Sequence, residues 1–190
     1  MSNVKRLFVA ISIPFAVRQQ LFDSLKPVVA QDREIRQILP ENMHITLKFL
    51  GETEIKKIDK IKDVLGKIAG NFSDFYYRIG ENIGAFPRIG LARIIFAPID
   101  EGCEQLSYIS ESVEKGLAAI GIKKEKKQFK AHITLARLRV EKDLTDQSVK
   151  IKFICREPVK CSKISLIESI LKPSGAEYAV IWEFSLLQKT

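Results

Sequence analysis

A chain of 190 residues suits one domain, or two small lobes sharing a core. Its 46% hydrophobic and 28% charged residues match an ordinary globular composition, which excludes a disordered chain, and no apolar run approaches the ~20 residues of a membrane-spanning helix. A formal net charge of +8 favours a polyanionic partner without separating RNA from acidic proteins or lipid surfaces.

Taken in order, the chain opens on Lys5-Arg6 followed by an apolar run, residues 7–17, that imitates a short signal peptide. No small-x-small pattern follows Val17. Arg18-Gln19-Gln20 leads instead into an amphipathic segment, so a buried strand and then a helix are expected. That helix spans residues 14–30, with Phe15, Val17, Leu21, Leu25 and Val28 on one face. A strand over 43–50 carries His44-Ile45-Thr46-Leu47, and a helix over 54–69 shows Ile58, Ile61, Val64, Leu65 and Ile68 as its stripe. Strands are predicted at 75–79 and 91–99, with Gly84-Ala85-Phe86-Pro87-Arg88-Ile89-Gly90 read as a turn or long hairpin loop. Next comes a helix over 103–120, with Leu106, Ile109, Val113 and Leu117 regularly spaced, then a strand over 131–138 containing His132-Ile133-Thr134-Leu135. A short polar helix at 143–149 precedes strands at 150–155, 163–168 and 178–186, the last two joined by Lys172-Pro173-Ser174-Gly175. Cys103, Cys155 and Cys161 form no CxxC pair, and an odd count suits reduced thiols in the cytoplasm.

The chain contains an internal repeat. The tetrapeptide His-Ile-Thr-Leu recurs at an offset of 132 − 44 = 88. Arg6-Leu7-Phe8-Val9-Ala10-Ile11 resembles Arg93-Ile94-Ile95-Phe96-Ala97-Pro98 at an offset of 93 − 6 = 87. Each apolar run precedes a helical pattern and then a second apolar run with the tetrapeptide. The fold class expected is α+β, one domain over 1–190 made of two similar lobes, approximately 1–90 and 91–190, with room for strand or terminus exchange between them.

On a strand, residues i and i+2 share a face, so each lobe presents one imidazole and one hydroxyl side by side, while Ile and Leu face the core. Packed about a pseudo-twofold axis, the two pairs converge on one cleft. One neutral imidazole there can take a proton from water and the other, protonated, can deliver one to a leaving oxygen. Threonine hydroxyls can donate to non-bridging phosphate oxygens. His44 and His132 are the only two histidines, and both occupy the same repeat position. Without nearby acidic or thiol partners they supply too few ligands for a metal, and a serine-type triad needs one histidine, not two symmetric ones.

These pieces resemble the two-histidine phosphoesterase superfamily, and more narrowly the bacterial and archaeal RNA 2′,3′-cyclic phosphodiesterases, also called 2′-5′ RNA ligases. The matching segments are Arg6 through Ile11, His44-Ile45-Thr46-Leu47-Lys48-Phe49-Leu50-Gly51, Gly84-Ala85-Phe86-Pro87, Phe129-Lys130-Ala131-His132-Ile133-Thr134-Leu135-Ala136-Arg137, and Ser169 through Tyr178. Phe96 departs from the tryptophan that many relatives carry. The resemblance implies a two-lobed, pseudo-symmetric duplicated fold, with two antiparallel sheets facing a central cleft and helices outside. It implies His44 as proton donor and His132 as proton acceptor, with Thr46 and Thr134 on the phosphate. It also implies metal-independent opening of a terminal 2′,3′-cyclic phosphate to a 2′-phosphate, with reversible 2′-5′ ligation as a side activity and no cofactor. The residues alone leave open which histidine does which.

Arg137 follows the second motif in the family pattern and is a candidate for phosphate. Strict alternation puts it on the face opposite His132, so a bend near Ala136 is required. Phe129 can stack on a base or pack in the core. Lys123, Lys124, Lys126, Lys127 and Lys130 make a basic run entering the second motif, and with Lys48 they can guide an RNA backbone or simply face solvent. The partners expected are RNA ends bearing a 2′,3′-cyclic phosphate, with no membrane, no metal and a monomeric state. The alternatives are a small cyclic phosphate as substrate, or a non-catalytic RNA- or nucleotide-binding module of the same fold.

Overall fold

β-Branched and aromatic residues dominate the runs beside each tetrapeptide, and they build the strands that their alternation predicts. A computed structural model describes residues 3–30, 32–148, 151, 153, 157–173 and 175–188. In chain order the elements are β1 (Val4–Ser12), α1 (Phe15–Val29), β2 (Ile35–Gln37), β3 (His44–Glu54), α2 (Ile58–Ala69) and β4 (Phe75–Ile79). Then follow β5 (Gly84–Arg88), β6 (Leu91–Glu101), α3 (Cys103–Ala119), β7 (His132–Lys142), α4 (Thr145–Ser148), β8 (Val159–Cys161), β9 (Lys163–Lys172) and β10 (Gly175–Ser185).

The strands are ordered β10-β9-β1-β3-β7-β6-β4-β8, with β2 added on β7 and β5 on β6, and the pairings between these strands are antiparallel. The two sheets expected are therefore two arms of one continuous, curled sheet. A single rung, Ile45↔Ile133, joins β3 to β7 and so joins the arms. Both residues of that rung are fully buried. Strands cross between the arms: β9 and β10, late in the chain, complete the arm of β1 and β3, while β4 and β5 complete the arm of β6 and β7.

The helices cover the apolar side. The α3 stripe is as expected, with Leu106, Ile109, Val113 and Leu117 completely buried. In α2 the same holds for Ile61 and Leu65, with Ile68 nearly so. The helix begins later than the pattern suggests, because β3 runs on to Glu54 and a 3-10 turn, Ile55–Lys57, intervenes. Helix α1 buries Leu21 and Leu25, but Phe15 is 59% exposed, with the Arg18 guanidinium 5.5 Å from its ring centre, so Phe15 does not belong to the core stripe.

One further expectation is corrected. Of the 84–90 stretch only Ile89 and Gly90 form the turn; the rest is β5, which pairs with β6 from Gly84↔Phe96 to Arg88↔Leu91. Its proline, which cannot donate to a ladder, is tolerated because β5 pairs on one side only and the register shifts between Phe86 and Pro87. Glycine is required at 84: a Cβ there would lie 2.3 Å from the Phe96 ring. The short strands β2 and β8 escape periodicity altogether. The strand expected over 150–155 falls largely outside the described residues. Within it, Ile151 and Phe153 are buried but belong to no strand.

Candidate active site

Both tetrapeptides sit at the start of their strands, beside the one rung that joins the arms. In β3 the exposure pattern alternates from Met43 to Leu47, then breaks, because Leu47 and Lys48 are both buried. The ladder gives the reason: Ala10↔Thr46 is followed by Val9↔Lys48, so Leu47 is an extra, bulged residue. The same happens in β7, where Phe96↔Thr134 is followed by Ile95↔Ala136 and Leu135 is extra. Each bulge keeps the next residue, Lys48 or Ala136, buried and moves the one after it onto the face of its His and Thr. This is the bend that Arg137 required, and in the first arm it delivers Phe49 to the matching position, 137 − 88 = 49.

The result is one cavity of about 1030 Å³ lined by His44, Thr46, Phe49, His132, Thr134 and Arg137 together. Both histidines are half-buried and held alike. His44 Nδ1 lies 2.9 Å from the Asn42 carbonyl oxygen, and His132 Nδ1 lies 2.6 Å from that of Lys130. A carbonyl only accepts, so Nδ1 donates in both rings and Nε2 is left for a ligand.

Aromatic rings grip each imidazole. Phe8 is 4.7 Å and Tyr178 5.3 Å from the His44 ring, centre to centre. Phe86 is 5.0 Å and Phe96 5.3 Å from His132, and these two phenylalanines stack on each other at 4.4 Å. Phe8 and Phe96 are separated by 96 − 8 = 88, the spacing of the histidines.

The surroundings disfavour charge on both rings. Burial, opposed by the Asn42 carbonyl and aided by the charges of His132 and Arg137, pushes His44 down to about 4. Burial also lowers His132, against the Lys130 carbonyl and with help from the cations of Lys130 and Arg137. The Lys130 ammonium lies 5.4 Å from the centre of Phe86 and 5.1 Å from that of Phe96, within cation–π range.

Of the secondary candidates, Arg137 is exposed and faces the cavity, and Phe129 both lines the cavity and packs on the core. Lys123, Lys124, Lys126, Lys127 and Lys130 are exposed, but only Lys127 and Lys130 line the cavity. Lys48 does not face solvent. Its side chain is fully buried, 2.6 Å from Glu114 Oε2 and 2.9 Å from the Lys123 carbonyl oxygen. Glu114 in turn accepts from the Glu125 amide, and Glu125 accepts from the Phe49 amide, so this group ties the basic loop to β3.

Phe49 is the site residue that sequence reasoning missed: it is 54% exposed on the cavity wall. Its signal was available, since it stands at the repeat position of Arg137. Among the described residues no three His, Cys, Asp or Glu side chains are grouped to hold a metal ion, and no helix is long and apolar enough to cross a membrane.

Comparison with known proteins speaks to the family and the fold. A family model described as LigT like phosphoesterase matches residues 11–95 and 97–178. An RNA 2′,3′-cyclic phosphodiesterase of Archaeoglobus fulgidus is 32% identical over 91% of this chain and 96% of its own length. One from Thermus thermophilus is also 32% identical, over 95% of this chain and 90% of its own. Among solved structures, TT0787 of Thermus thermophilus superposes with a TM-score of 0.78 at 28% identity, covering 97% of this chain and all of that one (100%). Apo LigT of E. coli gives a TM-score of 0.82 over 98% of this chain and 100% of its own; at 21% identity that likeness speaks for the fold.

Proposed function

Because the chain belongs to the LigT-like phosphoesterase family, we propose that it opens 2′,3′-cyclic phosphate ends of RNA, with His44 and His132 as its acid–base pair. One observation carries the reading: two imidazoles, each donating from Nδ1 to the carbonyl two residues before it, leave two Nε2 atoms on one cavity beside two threonines and an arginine. The relatives named as RNA 2′,3′-cyclic phosphodiesterases supply the substrate class.

In this scheme Nε2 of His132 removes a proton from water as the water oxygen bonds to phosphorus. The bond from phosphorus to the ribose 3′ oxygen breaks, and that oxygen takes a proton from Nε2 of His44. The product is a 2′-phosphate. Thr46, Thr134 and Arg137 hold the non-bridging oxygens, where charge accumulates. Burial opposes an imidazolium at His44, and a phosphate anion lying beside the ring favours one. An RNA 5′-hydroxyl in place of water would give a 2′-5′ linkage by the same steps. Phe49 offers an exposed ring to a base. We also read the protein as a cytoplasmic monomer, consistent with its unpaired thiols at Cys103 and Cys161.

The test is the product. An oligoribonucleotide with a 2′,3′-cyclic end should yield a 2′-phosphate, at a rate that EDTA leaves unchanged. A 3′-phosphate would reverse the leaving oxygen in this scheme, and loss of activity on chelation would end the metal-free mechanism.

A further inference from the structure

The cavity is larger than a terminal cyclic phosphate needs. At about 1030 Å³ it stands at the upper limit of pockets that enclose a whole small molecule. It also extends along the strands. Arg6 lies on the same face of β1 as Phe8, which touches His44, and it lines the same cavity. In the ladder, however, Arg6 stands opposite Glu52, which is 52 − 44 = 8 residues along β3 from His44. With Leu47 discounted, and Leu50 too because Phe8↔Phe49 is followed by Leu7↔Gly51, that is roughly 20 Å of strand backbone. One nucleotide anchored between the histidines does not span it.

Charge points the same way. The acids on the cavity wall have partners within the protein: Glu111 pairs with Lys115, Glu114 with Lys48, and Glu125 takes the Phe49 amide. Arg93 is held by Glu141 at 2.8 Å. Among the described residues Arg6, Lys127 and Arg137 form no ion pair, although Lys5 beside Arg6 pairs with Glu168. The unmatched charge lining the cleft is thus positive and continues past the reacting centre as far as Arg6, which forms no ion pair with Glu52 opposite it in the ladder, outside the cavity lining.

We propose that the cleft is a track for single-stranded RNA rather than a pocket for one nucleotide, and that Arg6 holds a backbone phosphate on the 5′ side of the cyclic end. This rests on the phosphodiesterase reading above. An RNA chain leaving the histidines by its 5′ side carries one negative charge per residue, which is what an unpaired arginine at that distance recognises. Arg6 is then a specificity residue that discriminates by substrate length and takes no part in the chemistry.

The experiment compares kcat/KM for a 2′,3′-cyclic mononucleotide and for oligoribonucleotides of increasing length with the same end, in wild type, Arg6→Ala and Arg6→Lys. Wild type should favour the longer ends at least tenfold, mainly through KM. Arg6→Ala should remove about tenfold of the oligonucleotide value, the worth of one charge-assisted contact, and leave the mononucleotide untouched. Arg6→Lys should restore most of the loss. The salt dependence for the oligonucleotide should flatten by about 0.7 in log–log slope in Arg6→Ala. Equal losses on both substrates, no loss on either, or no length preference in wild type would each overturn the track. If wild type opens neither substrate, the phosphodiesterase reading itself fails, and that result is distinct from the others. Thermal melting of Arg6→Ala should match wild type, since the side chain is exposed.

Discussion

Residues 42–49 and 130–137 are the same piece of structure built twice, and they are not furnished alike. Both place a histidine two residues after a carbonyl that fixes its tautomer, then a threonine, then a bulged leucine. Around that frame the neighbours diverge. Where the first arm has Asn42, Lys48 and Phe49, the second has Lys130, Ala136 and Arg137, each at an offset of 88. Asn42 turns its amide to the Ala176 carbonyl and ties down the hairpin that carries Tyr178, whereas Lys130 keeps a cation over the rings that grip His132. Duplication thus supplies two imidazoles held alike, and the substituted neighbours give them different surroundings. A motif that is symmetric in sequence can divide labour only through what surrounds it.

The largest way to break the comparison is to remove either histidine. His44→Ala and His132→Ala should each lose ~10²–10⁴-fold in turnover of cyclic ends, with unchanged circular dichroism. If one variant kept near-wild-type turnover, the two halves would not be working as a pair. The next test makes the first arm more like its twin. Lys48→Ala copies Ala136, but it strands Glu114 and frees the Lys123 carbonyl, so stability should fall by about 3 kcal/mol in chemical denaturation. Ala136 sits at the same place with no such partner to lose. A change below about 0.5 kcal/mol would mean the ion pair is idle.

The smallest effect is on pH. In the scheme proposed above, turnover needs one imidazole protonated and one neutral, so kcat/KM should peak midway between their two pKa values. Both lie below the ordinary 6.5, because burial lowers each. The peak should therefore fall on the acid side of pH 6.5. Lys130→Met removes one of the positive charges facing His132 and leaves Arg137, so the His132 limb and the optimum should move to higher pH. A pH–rate series on both proteins decides it; an unmoved optimum would remove Lys130 from the electrostatics of the site.

Much of the site was legible because its logic is local. The repeated tetrapeptide, strand alternation and the need for a bend before Arg137 can be read from a dozen residues. The bulges themselves could only be required, since a ladder's register depends on the strand opposite. Phe49 went unread for the same reason: without the bulge at Leu47, alternation assigns it to the wrong face. Lys48 was misread because burial of a lysine depends on Glu114, 66 residues away. Among the elements, α3 declared itself through an unbroken apolar stripe. By contrast β5 carries Gly84 and Pro87, local punctuation for a turn, and becomes a strand only because Phe96 lies against Gly84. Joining both arms into one sheet through Ile45 and Ile133 has no local signature at all.

The crossing of strands between the arms has a consequence for how the molecule is made. β1 leaves the ribosome long before β9, yet one of its edges is closed by β9, with Leu7 opposite Glu168. Until synthesis passes that point the nascent chain carries an open strand edge, and in its first half a histidine whose Tyr178 neighbour does not yet exist. The first arm cannot ripen ahead of the second, so the two copies of the repeat, read out one after the other, reach their native form together.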